Sequence, residues 1–234
     1  DFDLIIFDRY LIRDILPQSY LQNVVDYVNG GGALLFAVGP EFADRFNLFN
    51  SPLSDVLPAR PTGGVFERGF IPELTKLGEM HPVTRGIKDV GGSANLKINK
   101  KPWGRWFRQL EARVKSGLVI MEGLQDFPLL VVDRVGEGRI AILLSDHIWL
   151  WARGYDGGGP QGEILRRTAH WLMKEPELEE EMLTAEVQSG NIHITRTSIS
   201  DALAKIRVKG PSGGIKEFVL NTGVTMDKQI IYHI

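Results

Sequence analysis

Two short apolar runs constrain this chain more than anything else in it: Leu4-Ile5-Ile6-Phe7 and Ala33-Leu34-Leu35-Phe36-Ala37-Val38. Between them Tyr20, Leu21, Val24, Val25 and Val28 recur at spacings of three and four, which gives a helix one apolar face. A continuous apolar run of this length suits a strand covered on both faces, as in a parallel sheet. Pro17 opens the intervening helix and Gly30-Gly31-Gly32 closes it, the usual punctuation. Strand, helix, strand is the βαβ unit, whose crossover joins parallel neighbours. The first element ends on Asp8 and the second runs into Gly39-Pro40-Glu41.

Residues 42–116 hold Pro52, Pro58, Pro61, Pro72, Pro82 and Pro102 and read as short strands and long loops. Order returns at 117–122 and in two runs, Pro128–Val135 and Arg139–Ser145, whose Gly136-Glu137-Gly138 link spells a hairpin. A last helix is expected over Gly162–Met173, stopped by Pro176. Five glutamates within 175–181 then lead to alternating short runs, at 183–188, 191–196, 204–208, 216–220 and 229–233, the pattern of an antiparallel β module. The expected fold is α/β, a flavodoxin-like, mostly parallel sheet with helices on both faces over residues 1–176, and then a small β-rich module over 177–234. About fifty residues are few for a full sandwich.

Composition excludes some chemistry. The chain has no cysteine, so thiol nucleophiles, thiolate metal ligands and disulfides are all absent. A net charge of -2 argues against a nucleic-acid footprint. No apolar stretch reaches the roughly 18 residues that would span a bilayer. The histidines make no H-x-x-x-H or H-E-x-x-H pair, no G-x-S-x-G elbow is present, and neither a metal nor a cofactor is expected. The chain opens at Asp1, without a Met, almost directly into a strand, and reads as a soluble piece of a larger protein.

Three segments carry a family resemblance: the opening pair DFDLIIFD and GGALLFAVGPEF; His81-Pro82-Val83-Thr84-Arg85-Gly86; and VGEGRIAILLSDHIWLWARG followed by Arg166-Arg167 and His170-Trp171-Leu172. Together they resemble the catalytically degenerate branch of the class I glutamine amidotransferase-like domains. Active members place a cysteine on the turn after the second of these strands, where this chain has Val38 and Gly39, and no His-x-Glu pair follows. The resemblance therefore implies a non-catalytic domain that binds or scaffolds a protein or envelope partner. It also implies a bacterial inner-membrane parent, with the periplasmic side favoured.

Ligands of open parallel sheets bind beyond the carboxyl ends of the strands. That edge should gather Asp8, Arg9, Glu41, Glu122, Asp146 and His147. The alternative to a scaffold is thus a hydrolase or metal-dependent enzyme using Asp8, Glu41, Asp146 and His147 as acids, bases or ligands. Two further features invite a binding reading. Trp149 and Trp151 with Arg153 could stack on a sugar or peptide, or one of the two tryptophans could anchor the closing helix while Asp146 caps a turn. Gly157-Gly158-Gly159 before a helix could cradle an anion, or simply allow backbone geometry. Residues 97–115 carry seven Lys or Arg and one acid, interleaved with Trp103, Trp106 and Phe107. Such a stretch suits contact with a membrane surface, or a solvated loop whose aromatics enter the core.

Overall fold

The computed structural model describes residues 2–12, 16–90, 103–188, 191–199, 203–209, 213–220 and 227–233. The chain divides into two compact units, Asp1–Leu178 and Glu179–Ile234.

The first unit is a mixed α/β layer structure. Strand β1 (Leu4–Asp8) leads through helix α1 (Gln18–Asn29) to β2 (Ala33–Ala37), and β1 and β2 pair in parallel. Then come β3 (Ala59–Phe66), the two-residue β4 (Glu73–Leu74), helix α2 (Lys76–Met80), β5 (Gln109–Val114), β6 (Leu118–Glu122), β7 (Pro128–Val135) and β8 (Gly138–Leu143). Helices α3 (Trp149–Ala152) and α4 (Gln161–Leu172) close the unit. The main sheet runs β1-β2-β8-β7-β6-β4, and β3 and β5 form a separate antiparallel pair. β1, β2 and β8 are parallel; β8–β7, β7–β6 and β6–β4 are antiparallel. The expectation of a mostly parallel sheet therefore holds for the β1-β2-β8 core and fails on the β7-β6-β4 flank. The cause is local, since the short Gly136-Glu137 turn can only return the chain antiparallel.

Alternation along each central strand divides the core between the faces. Leu34 and Phe36 of β2 and Ile140 and Ile142 of β8 pack with Leu21, Val25 and Val28 of α1. Ala33, Leu35, Ala141 and Leu143 face the other way, toward Ile164, Trp171 and Leu172 of α4. A strand with helices on both sides has no polar face, which is why these runs are apolar throughout.

The His81–Gly86 stretch, β8 and α4 meet in this second core layer. The buried Arg139 donates from Nη1 to the Trp171 carbonyl at 2.7 Å, and its guanidinium lies 4.9 Å over the Trp171 ring. His81 meets the same indole edge-on at 5.4 Å. Thr84 donates from Oγ1 to the Gly78 carbonyl at 2.6 Å, and Arg167 donates to the Arg85 carbonyl at 2.6 Å. These segments hold α2 and α4 in place.

The second unit comprises β9 (Glu181–Gln188), β10 (Asn191–Ser198), β11 (Ala204–Lys209), β12 (Ile215–Leu220) and β13 (Asp227–His233). They form a three-stranded sheet, β13-β10-β9, and a hairpin, β11-β12, all antiparallel. Its core among the described residues is small: Ile194 and Ile206, flanked by Ile192, Ala204 and Val208. Leu183 and Val187 of β9 stay exposed although each lies beside a β10 residue in register.

Candidate functional site

The carboxyl ends of β1, β2 and β8 converge on a cluster of charges. Arg9 follows β1 in a left-handed conformation, φ +46°, uncommon for a residue with a side chain. Its backbone N–H still bonds to the Ala37 carbonyl at 2.8 Å, so the kink fixes where the guanidinium goes. That guanidinium meets Glu41 at 2.5 Å and Asp146 at 3.4 Å. Arg108, just before β5, reaches Asp146 at 3.1 Å and Glu67 at 3.1 Å. Asp146, its side chain only 6% exposed, thus sits between two guanidiniums. Ser145 beside it is buried; its hydroxyl donates to the Arg108 carbonyl at 2.6 Å and accepts from the His147 N–H at 3.1 Å. The proton a nucleophilic serine would surrender is thereby committed to a carbonyl.

The imidazole of His147 is held too. Nδ1 accepts the Phe107 N–H at 3.1 Å, which leaves the neutral ring's proton on Nε2, 3.8 Å from Asp146. Burial pushes its pKa below the usual value and outweighs the attraction of Asp146. Burial alone would raise the Glu41 carboxyl, but the bond from Arg9, a backbone hydrogen bond and the charges of Arg9 and Arg108 hold it below the usual range. Arg9 is raised in turn, chiefly by the Glu41 bond. Glu41 and Arg9 thus each favour the charged form, as paired ions do.

At Gly39, the position after the β2 turn, a Cβ would come 2.6 Å from the Glu41 carboxylate and 2.7 Å from Arg9 Nε. The pair thus fills the space that a side chain on this turn would use.

The structure brings Glu41, Asp146 and His147 together. Asp8 is exposed at the end of β1 and touches the cluster only through its charge on Arg9. Glu122 belongs to a different group, raised by burial and then by Asp126 and Glu73. Among the described residues no group of three His, Asp or Glu could hold a metal. Sequence reading placed Arg9 at the edge without giving it a role and missed Arg108, Glu67 and Ser145. Arg108 lies 38 positions from Asp146, and no local pattern marks that pair.

The two tryptophans part company. Trp149 is 52% exposed, whereas Trp151 is 2% exposed and donates from Nε1 to the Gly104 carbonyl at 2.8 Å. Trp151 also sits 4.7 Å from Trp106 and 5.2 Å from Trp103, both buried. The expectation of a paired stacking wall is therefore corrected, because Trp151 is a core residue. Arg153 is exposed nearby. The glycine loop serves this core. A Cβ on Gly159 would lie 2.3 Å from the Trp151 ring, and the Gly158 carbonyl accepts the Gly104 N–H at 2.7 Å. Gly157 and Gly158 take positive φ, +98° and +72°. Close approach and backbone geometry explain these glycines without an anion.

Of the basic stretch, Lys97, Lys100 and Lys101 lie outside the described residues. Arg105 pairs with Asp156 at 2.6 Å, and Lys115 donates to the Ser54 and Asp55 carbonyls at 2.7 and 2.9 Å. Trp103 and Trp106 enter the core. No helix among the described residues is long and apolar enough to cross a membrane.

No protein-family model matches the chain, and no curated protein matches it. Among solved structures it is similar to a cytoplasmic protein from Salmonella typhimurium, at a TM-score of 0.57 and 18% identity over 73% of this chain and 72% of that one. A second cytoplasmic protein, from Salmonella typhimurium LT2, matches at 0.49 and 22% identity over 76% and 72%. The cold-adapted β-galactosidase from Rahnella sp. R3 matches at 0.46 and 11% identity, over 100% of this chain and 32% of that one. At such identities the first likeness shows a shared fold alone.

Proposed function

We propose that the first unit is a flavodoxin-like, catalytically degenerate relative of the class I glutamine amidotransferases that binds or scaffolds a partner within a bacterial envelope protein. One observation carries this reading. The carboxyl edge, where a sheet of this kind works on substrates, is closed by the Glu41–Arg9–Asp146–Arg108–Glu67 chain of ion pairs. A catalytic carboxylate needs a free lone pair or a proton it can give, and a guanidinium on each side of Asp146 opposes both. The sequence supports the reading independently, since a chain without cysteine cannot perform the family's thiol acyl transfer. His81, Arg139 and Trp171 support the kinship, because the motif residues meet in one packed cluster.

The test is turnover. The chain is assayed for glutamine hydrolysis and against ester, phosphoester and glycoside panels, with and without divalent metals. The expected result is no activity above background. Turnover that disappears in both Asp146→Asn and His147→Gln would replace this reading with the hydrolytic one.

A further inference from the structure

Helix α4 ends in a Schellman turn. The Lys174 N–H bonds to the Trp171 carbonyl and the Glu175 N–H to the His170 carbonyl, each at 3.0 Å. Lys174 takes the left-handed conformation that such a turn needs, φ +62°. The chain therefore folds back, and residues 176–178 contact the helix they have just left. Between this return, α4 and the buried Pro82 lies a cavity of about 280 Å³, lined entirely by the first unit and at the small end of the range for ligand clefts. It is remote from the carboxyl edge: Arg139, near the start of β8, bonds to the Trp171 carbonyl, so this end of α4 lies toward the amino ends of the strands.

The cavity holds charges of both signs that do not touch. Arg166, Arg167 and His170 line it from α4, and Glu175 and Glu177 line it from the returning chain. Glu163, which does not line it, accepts from Nε and Nη2 of Arg166 at 2.9 and 2.8 Å and from Nε of Arg167 at 2.5 Å. Arg167 also donates from Nη1 to the Arg85 carbonyl at 2.6 Å. Among the described residues that leaves Nη1 of Arg166, Nη2 of Arg167 and both ring nitrogens of His170 without a hydrogen-bond partner. Neither the Glu175 nor the Glu177 carboxylate bonds to any described residue, and Glu177 acts on Arg166 only through its charge. Around the cavity three arginines, Arg85, Arg166 and Arg167, balance three glutamates, Glu163, Glu175 and Glu177.

We propose that this cavity binds a small zwitterion of the amino-acid class, its carboxylate on Arg166, Arg167 and His170 and its ammonium on Glu175 and Glu177. A simple anion would engage the guanidiniums but add negative charge beside two carboxylates, and a simple cation would do the reverse. A molecule that carries both charges engages the open donors and acceptors together and leaves the balance at zero. The two guanidiniums are already held by Glu163 and the Arg85 carbonyl, so their remaining N–H groups lose little freedom on binding. This inference goes beyond the functional reading above and stands whether or not the carboxyl edge is catalytic.

Calorimetric titration of the full 234-residue chain with glycine and with 4-aminobutyrate, up to about 10 mM, tests it. The two probes differ in the distance between their charges, and butyrate and butylamine each carry only one of them. The expected result is saturable binding of at least one zwitterion, about tenfold or more tighter than either single-charge compound. Arg166→Gln and the double change Glu175→Gln with Glu177→Gln should each weaken that binding about tenfold or more. All three side chains are exposed, so far-UV circular dichroism and the denaturation midpoint should stay as in wild type. Arg45→Gln, an exposed arginine on the loop after β2, should leave the affinity unchanged. Absence of saturable binding by both zwitterions, butyrate or butylamine binding as tightly, or an affinity that survives either cavity variant would each overturn the proposal.

Discussion

Asp146→Ala separates a structural carboxylate from a catalytic one by the sign of its effect on stability. Groups kept for chemistry tend to be held at a cost, and removing them is neutral or stabilising. Asp146 lies 3.1 Å from Arg108 and 3.4 Å from Arg9 with its side chain nearly excluded from water. At an effective dielectric constant near 20 each contact is worth about 5 kcal/mol of gross attraction, most of it offset by desolvation. Breaking a fully buried pair costs about 3–5 kcal/mol because the orphaned charge stays dry. Here both guanidiniums are partly exposed and can turn to solvent, so the expected loss is about 2 kcal/mol. In urea, with a slope near 2 kcal/mol/M, the midpoint of the first unit's transition should fall by roughly 1 M at constant slope. Glu67→Ala removes only the exposed end of the network and should stay within about 0.5 kcal/mol of wild type. An Asp146→Ala chain as stable as wild type, or more so, would refute the argument that this carboxylate is there to tie strands together.

Two further outcomes follow from the same geometry. Trp151→Ala should cost about 3–5 kcal/mol, because it empties the centre of the aromatic core, while Trp149→Ala should cost less than about 1 kcal/mol; denaturant titration of both variants checks the contrast, and equal costs would contradict it. Glu163, bonded first by Arg166 and then by Arg167, has its carboxyl pulled down from the usual 4.5 to about 2. A depressed carboxyl contributes stability that is present above its unfolded value and is lost as pH falls toward the folded one. With solvent screening discounted, Glu163→Gln should cost about 1 kcal/mol at pH 7, and that difference should shrink as the buffer is taken below 4.5; a gap that widens on acidification would reverse the assignment.

Much of the fold was legible without coordinates. The β1–α1–β2 unit, the β7–β8 hairpin and α4 each follow from a periodicity set by near neighbours, and the glycine and proline punctuation sits beside the elements it ends. Residues 42–116 were not legible in the same way. β3 finds its partner in β5 and β4 finds its own in β6, both dozens of positions on, and a two-residue strand leaves no period to read.

The site divides along the same line. Sequence alone determined that no thiol chemistry is possible and that Glu41, Asp146 and His147 stand near the carboxyl edge, because strand ends are local facts. Only the tertiary structure decided that Asp146 is clamped by Arg9 and Arg108, that Trp151 is core while Trp149 two positions away is surface, and that Gly159 is a glycine because an indole lies against it. It also decided that, among the described residues, β1 ends the six-stranded sheet beside β2, although its composition suits the middle of one. The physical reason is common to all four. Hydrophobic periodicity is written by residues a few positions apart, whereas ion pairing, close approach and strand order join residues that chain folding brings together from far away.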